Sequence, residues 1–326
     1  MSEKVLLITV REDEVPCRLD RWLKRHYPQL PQSYIQRLLR TKQIRVNGKR
    51  AEAKQALEAQ DAIRVPPLPD APADPQPKTI SAKDKQWLAS CILYQDADIF
   101  VLNKPAGLAV QGGSGTKRHL DTLLAALATR GQTPKLVHRL DKDTSGVLIV
   151  ARTNKAAAFM TEAFRTKAVR KTYWALVEGK PHPAQGIIDQ PLLKRNVKSG
   201  REMVVVDAAG QSAQTQYKVM KTARQLSWLE LSPLTGRTHQ LRVHCAFMGT
   251  PIVGDDKYGH AHTPVPQIAA QLHLHARQII LPMLSGGKRT FIAPLPEHMK
   301  NSFAFLGFCD TKEHKNDKDH TIGEDS

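Results

Sequence analysis

Four cysteines, Cys17, Cys91, Cys245 and Cys309, are scattered over 326 residues and form no CxxC pair. That excludes a disulfide scaffold and a cysteine-rich zinc site, and it fits reduced thiols in a cytoplasmic protein. No long apolar run is present, so no membrane-spanning helix and no membrane partner are expected. The first residues carry Glu3 and Lys4 and no extended apolar core, so no secretory signal is expected either. Aromatics make up only 6%, and acidic residues are short: 31 Asp/Glu stand against 48 Lys/Arg, a formal charge of +17. Such an excess calls for a polyanionic partner, nucleic acid before membrane. The 13 histidines include no HExxH and no Cys/His spacing of a strong zinc site. His239, His244, His260, His262, His273 and His275 therefore carry no metal in this reading.

The charge is unevenly spread. Between Cys17 and Val65 stand 12 Lys/Arg and 4 Asp/Glu, so +8 of the +17 lies in this short segment. The segment reads as a small α/β module. Leu19, Trp22 and Leu23 recur at helical spacing until Pro28 stops the helix. Ser33 is placed to cap a second helix bearing Ile35, Leu38 and Leu39. Asn47-Gly48 is a hairpin pair, and Ala62 to Val65 a further short strand. Pro66 to Pro77 holds six prolines in twelve residues, a semi-stiff linker. From Cys91 onward short strands dominate: 92–94, 99–102, 173–177, 215–220 and 227–231. Helices are expected over 119–130, 154–166 (capped by Asn154) and 238–248 (ended by Gly249). The order fits an α+β fold with a mixed, mainly antiparallel sheet and flanking helices. We place an RNA-binding module at 1–65, a linker at 66–85, a catalytic domain at 86–309 and a disordered acidic tail at 310–326.

The segment His138-Arg-Leu-Asp-Lys-Asp-Thr-Ser-Gly146 leads into the apolar run Val147 to Ala151. A polar turn feeding a buried strand gives a carboxylate a rigid base. On local chemistry alone, Asp141 and Asp143 more ordinarily support the turn through side-chain to backbone hydrogen bonds.

HRLD-x-x-TSG resembles the signature of the RluA family of pseudouridine synthases. Other pieces follow in the family's order: Asn103-Lys-Pro-Ala-Gly107, Lys171-Thr-Tyr173, Gly236-Arg-Thr-His-Gln-Leu-Arg242, Gly254-Asp-Asp-Lys-Tyr258 and Leu274-His-Ala276. The N-terminal pieces RLDRWL (18–23), SYIQRLLR (33–40) and IRVNGK (44–49) resemble an S4 RNA-binding domain. The usual Gly-Asp before its last strand is Gln60-Asp61 here. Gly112-Gly-Ser-Gly115 resembles the C-type members that act on large-subunit rRNA, where the D type tends to carry proline.

The resemblance implies isomerisation of uridine to pseudouridine in 23S rRNA or the large-subunit precursor, by a monomer and without a cofactor. The N1–C1′ bond breaks, the base turns, and C5 joins C1′. Asp141 is implied as the reacting carboxylate, either a nucleophile toward C1′ or a base toward C2′. A carboxylate taken out of water tends to gain a proton, and a guanidinium beside it reverses this. The resemblance gives that part to Arg242. Tyr173 and Leu274 would pack on the uracil. Arg139 would fill the stack vacated by the extruded nucleotide. Lys104 and the 111–115 loop would contact the RNA backbone, and Arg37, Arg40, Lys42, Arg45 and Lys49 would present the S4 surface. Two other classes remain: a non-catalytic RNA-binding assembly factor, and a hydrolase using Asp141 with Asp143. The first predicts loss of Asp141, Tyr173 or Arg242, all present. The second places its carboxylates at i and i+2, on opposite faces of an extended segment.

Overall fold

The computed structural model describes residues 5–28, 30–68, 80–112, 118–129, 132–196, 202–259 and 267–308. The chain divides into two compact units, Met1–Thr79 and Ile80–Ser326. The tail at 310–326, most of the proline run, Gly113 to Gly115, His260 and His262 lie outside the described residues. No described helix is long and apolar enough to cross a membrane.

In the first unit, β1 (Leu6–Thr9), β6 (Ala62–Val65), β3 (Arg45–Val46) and β4 (Lys49–Arg50) form a sheet in that order. A short ladder joins β2 (Cys17–Arg18) to β5 (Ala56–Leu57). Helix α1 (Leu19–His26) buries Leu19, Trp22 and Leu23. Helix α2 (Gln32–Arg40) buries Ile35, Leu38 and Leu39 in the same core. Its N-cap is Pro31 rather than the expected Ser33, which lies inside the helix. Asn47 (φ 50°) and Gly48 (φ 72°) make the β3–β4 turn. Asn47 is also tied to the last strand, accepting from Ala62 N and donating to Asp61. Gln60, at the family's glycine position, keeps the left-handed conformation at φ 71°. A glycine would take up that conformation without the steric cost that glutamine bears.

The second unit opens with α3 (Ala82–Ser90), whose cap is Ser81 accepting from Asp84 N at 3.0 Å. The expected linker 66–85 thus ends early: this capped turn already packs Leu88 into the core. The central sheet runs in the order β12 (Gln185–Asp189), β15 (Gln214–Ala223), β16 (Leu226–Pro233), β11 (Arg170–Glu178), β17 (Leu274–Pro282), β10 (Ser145–Ala151), β8 (Ile99–Lys104), β7 (Ile92–Gln95). β18 (Lys288–Ile292) pairs β17, and β9 (Lys135–Leu136) pairs β10. Only β10 and β17 run parallel among these named pairs. All seven β10 residues are buried, as its unbroken apolar run requires of a strand covered on both faces. One face is covered by α5 (Asn154–Arg165) through Met160 and Ala163. The other is covered by α3 with Leu120, Leu123 and Leu124. Thr153, not Asn154, caps α5.

The helix expected over 119–130 is shorter. It comprises α4 (Leu120–Leu123) and a 3-10 turn at Leu124–Leu127. Only Leu120, Leu123 and Leu124 of it are buried, so packing supports little more than one turn. A hairpin, β13 (Leu192–Asn196) with β14 (Glu202–Val206), stands apart from the main sheet. Helices α6 (Gln240–Phe247) and α7 (Glu297–Phe305) complete the unit.

Candidate active site

Asp141 lies on the turn between buried Leu140 and β10. Two features hold that turn. Gly146 has φ +110°, and a Cβ there would sit 2.2 Å from Ala276 O, so only glycine allows β10 to lie this close to β17. Lys104 Nζ donates to Lys142 O at 2.9 Å, Leu108 O at 2.9 Å and Pro105 O at 2.8 Å. Burial pushes its ammonium down to about 7, against the opposing charges of Asp143 and Asp141. Three carbonyl acceptors use all three donors of the ammonium form.

Lys104 is therefore not an RNA contact, contrary to the expectation from resemblance: it is 2% exposed and every donor is taken inside. Its work is to fasten the turn that carries Asp141. Lys104→Met should cost about 2–3 kcal/mol, because it strands the buried Leu108 carbonyl and removes the bonds of two part-buried ones. Urea unfolding checks this; an unchanged midpoint would show that the three bonds contribute nothing net.

A cavity of about 140 Å³ opens at Asp141, lined also by Arg139, Thr144, Tyr173, His239, Arg242 and Leu274. Cavities near 150 Å³ hold one six-membered ring. Tyr173 sits on β11 beside a bulge after Thr172, in register with Ala276 and Leu231. Burial, and then the charge of Asp141, push its phenol well above the ordinary range, so at neutral pH it keeps its proton. Leu274 begins β17 opposite Ala175 and is buried. Arg139 is exposed at the rim. Asp143 does not line the cavity, which removes the paired-carboxylate geometry.

Arg242 shares the cavity with Asp141 and feels its charge, but its close partner is different. Nε and Nη2 donate to Asp255 Oδ2 at 2.7 Å and Oδ1 at 2.6 Å. A guanidinium only 4% exposed needs a permanent counter-charge, and Asp255 supplies it. Burial pushes Asp255 up, but Arg242 and the amides of Tyr258 and Lys257 outweigh it and hold the carboxyl below its usual range. Asp141 Oδ1 instead faces His239 Nε2, at 3.9 Å.

Sequence reasoning missed His239, Tyr258 and Asp255 as one unit. Tyr258 Oη accepts from Val204 N and lies 2.7 Å from His239 Nδ1. With Nδ1 engaged by that hydroxyl, Nε2 is the ring nitrogen that faces Asp141. Burial lowers the His239 pKa, so the imidazole is neutral at physiological pH. The GDDKY spacing was the available signal. His138 was also missed: its Nε2 accepts from Ile149 N at 2.8 Å, and burial lowers its pKa to about 3. Two further buried histidines have structural partners. His275 bridges Ser145 and Ala293 O, and His273 bridges Gln271 O and Ser302. Among the described residues no cluster of three or more His, Cys, Asp or Glu is placed to hold a metal.

In the first unit Arg37, Arg40, Lys42, Arg45 and Lys49 are all exposed. The structure adds Arg50 and Arg64, each directly across from Arg45 in the sheet. Like charges facing each other in this way destabilise a sheet, and a polyanion relieves them.

A ring-sized pocket with a free carboxylate, in a chain that also presents an arginine row, defines an enzyme acting on a base within a nucleic acid. A family described as RNA pseudouridylate synthase matches residues 98–247, and the S4 domain matches residues 17–63. The chain is 37% identical over 309 residues to "Ribosomal large subunit pseudouridine synthase C" of Vibrio cholerae, covering 92% of this chain and 96% of that protein. It is 40% identical over 258 residues to the Escherichia coli protein of the same name, covering 79% and 81%. The solved "Human RNA Pseudouridylate Synthase Domain Containing 4" superposes with TM-score 0.59 at 34% identity, over 68% of this chain and 95% of that one. The chain belongs to the RluA-type RNA pseudouridine synthases and carries an S4 domain.

Proposed function

We propose that this protein isomerises specific uridines of 23S rRNA, or of the large-subunit precursor, to pseudouridine, acting as a cytoplasmic monomer. The observation that carries the reading is a single ring-sized cavity that brings together Asp141, Tyr173 and Leu274 from three distant parts of the chain. Asp141 engages the sugar. Tyr173 and Leu274 hold the uracil, the phenol keeping its proton available for the base. Arg242 adds positive charge to the cavity wall while tied to Asp255, and Arg139 at the rim enters the vacated stack. Extruding the nucleotide costs a few kcal/mol, which phosphate contacts must offset. The large-subunit target is supported by the names of the relatives covered nearly end to end.

The test is to incubate unmodified 23S rRNA with the enzyme and map pseudouridines by carbodiimide-dependent primer extension. New stops at a few defined uridines are expected; an unchanged 23S map, with modification only in other RNAs, would overturn the target. The S4 surface makes a separate prediction. Replacing Arg37, Arg40 and Arg45 together by Ala should flatten the slope of log affinity against log salt. The change expected is about 0.9 for every duplex phosphate that these arginines neutralise. A filter-binding titration with the wild-type slope would remove these residues from the interface.

A further inference from the structure

Beside the ring-sized pocket lies a larger cleft of about 430 Å³. The two share a wall formed by Lys171, Tyr173 and the turn Thr235-Gly236-Arg237, with Arg139 at the rim of both. None of the thirteen residues lining the larger cleft is acidic. Arg165 on its edge is already paired with Glu162, and Arg237 donates to Ser212 O. Lys171 differs from both.

Lys171 is half-buried, and its ammonium has no hydrogen bond and no ion pair among the described residues. Burial alone lowers its pKa, with no neighbouring carboxylate to oppose it. Its Nζ lies 3.8 Å from where a side chain on Gly236 would begin, so the glycine leaves room next to the charge. A cation drawn from water without a counter-ion destabilises the fold. Its retention makes sense where the ligand brings the missing charge.

We infer that the larger cleft holds the RNA strand adjoining the target uridine, and that Lys171 takes the phosphodiester linking that uridine to its neighbour. This rests on the RNA-modification reading above. The uridine ring then occupies the smaller pocket at Asp141, and Lys171, at the shared wall, fixes the strand where the extruded nucleotide leaves it. Lys167, an exposed lining residue, and Arg139 at the rim add to the positive field of the cleft. Lys171 is a positioning residue in this scheme: it touches the backbone and not the reacting atoms.

The experiment is a chemical double-mutant cycle on a 23S rRNA fragment containing a mapped target uridine. One arm replaces each phosphodiester flanking that uridine with an uncharged methylphosphonate; the other compares the wild type with Lys171→Met and Lys171→Arg. In the wild type, one flanking methylphosphonate should weaken binding by about 10-fold, the scale of one charge-assisted bond. In Lys171→Met the same change should matter less than about 2-fold, and the salt slope should fall by about 0.7, one single-strand phosphate. Lys171→Arg should restore the sensitivity. Methionine keeps the stem and removes only a poorly solvated charge, so thermal melting should not fall. Equal losses in wild type and Lys171→Met at both linkages would overturn the inference alone. If the wild type leaves the fragment without pseudouridine, the parent reading falls and this one with it.

Discussion

Asp141→Asn should lower pseudouridine formation by about 10,000-fold or more while leaving the fold almost unchanged, the scale on which removing a reacting group acts in covalent catalysts. The substitution keeps size and shape, and removes the negative charge, the nucleophilicity and the basicity. The structure makes the second half of the expectation as specific as the first. Asp141 accepts no hydrogen bond among the described residues, and the imidazole facing it, His239, is neutral at physiological pH and 3.9 Å away. Nothing buried is stranded when its charge goes, so stability should shift by no more than about 0.5 kcal/mol. A carboxylate held on a fastened turn without a hydrogen bond from the described residues has its acceptor oxygens available to a ligand. Single-turnover conversion of rRNA, read by primer extension, and a thermal melt check the two halves together. Activity within about tenfold of wild type would take Asp141 out of the chemistry. A large drop in melting temperature would recast it as a structural residue.

The parts of the fold that show in the sequence are those where a local pattern has a single physical cause. The Asn47-Gly48 turn, the apolar run of β10 and the glycine end of α6 needed no tertiary information. β17 was not legible as a strand, because Leu274-His-Ala-Arg-Gln278 reads as half polar. Its His275 and Arg277 are buried all the same: His275 is bonded to Ser145 and Ala293, and Arg277 stacks over Trp174. Partners distant in sequence make those polar residues tolerable inside, and no window of sequence contains them. The same holds for Lys104. A lysine between Asn103 and Pro105 at the end of β8 reads as a surface contact until its three carbonyl acceptors are seen.

The site divides along the same line. Asp141, Tyr173, Arg242 and Leu274 converge on one cavity. Their grouping rested on resemblance, since periodicity cannot bring residue 141 to residue 242. What resemblance to motifs did not supply is the pairing within the cavity. The guanidinium goes to Asp255 and the imidazole of His239 faces Asp141. Burial explains the choice, because Asp255 has no exposed side-chain surface and Asp141 keeps 21%. The fully desolvated carboxylate takes the strong bidentate partner.

That pairing yields the second large prediction. Asp255→Asn should destabilise the protein by about 3–5 kcal/mol, because it leaves the buried Arg242 guanidinium with only the longer, 3.4 Å contact to the solvent-exposed Asp256 carboxylate. The pair also gives stability a definite acid limb. The Asp255 carboxyl lies below its usual value in the folded state, so the folded protein binds fewer protons there than the unfolded chain. Its contribution is full above the ordinary carboxylate range and is lost as pH falls through the lowered folded-state pKa. Urea midpoints measured down that range should therefore fall less steeply in Asp255→Asn than in wild type; parallel curves would mean that Asp255 is not the group responsible. Replacing both members, Arg242→Met with Asp255→Leu, should recover much of the lost stability, since apolar side chains of similar volume often substitute well for a buried pair. Activity should not return with it. Arg242 lines the cavity within the field of Asp141, and methionine restores packing without the positive charge. If the double variant recovered both stability and turnover, Arg242 would belong to the scaffold alone. Stability without turnover would separate its two roles: counter-ion to Asp255 in the fold, and cation toward Asp141 and the substrate in the reaction.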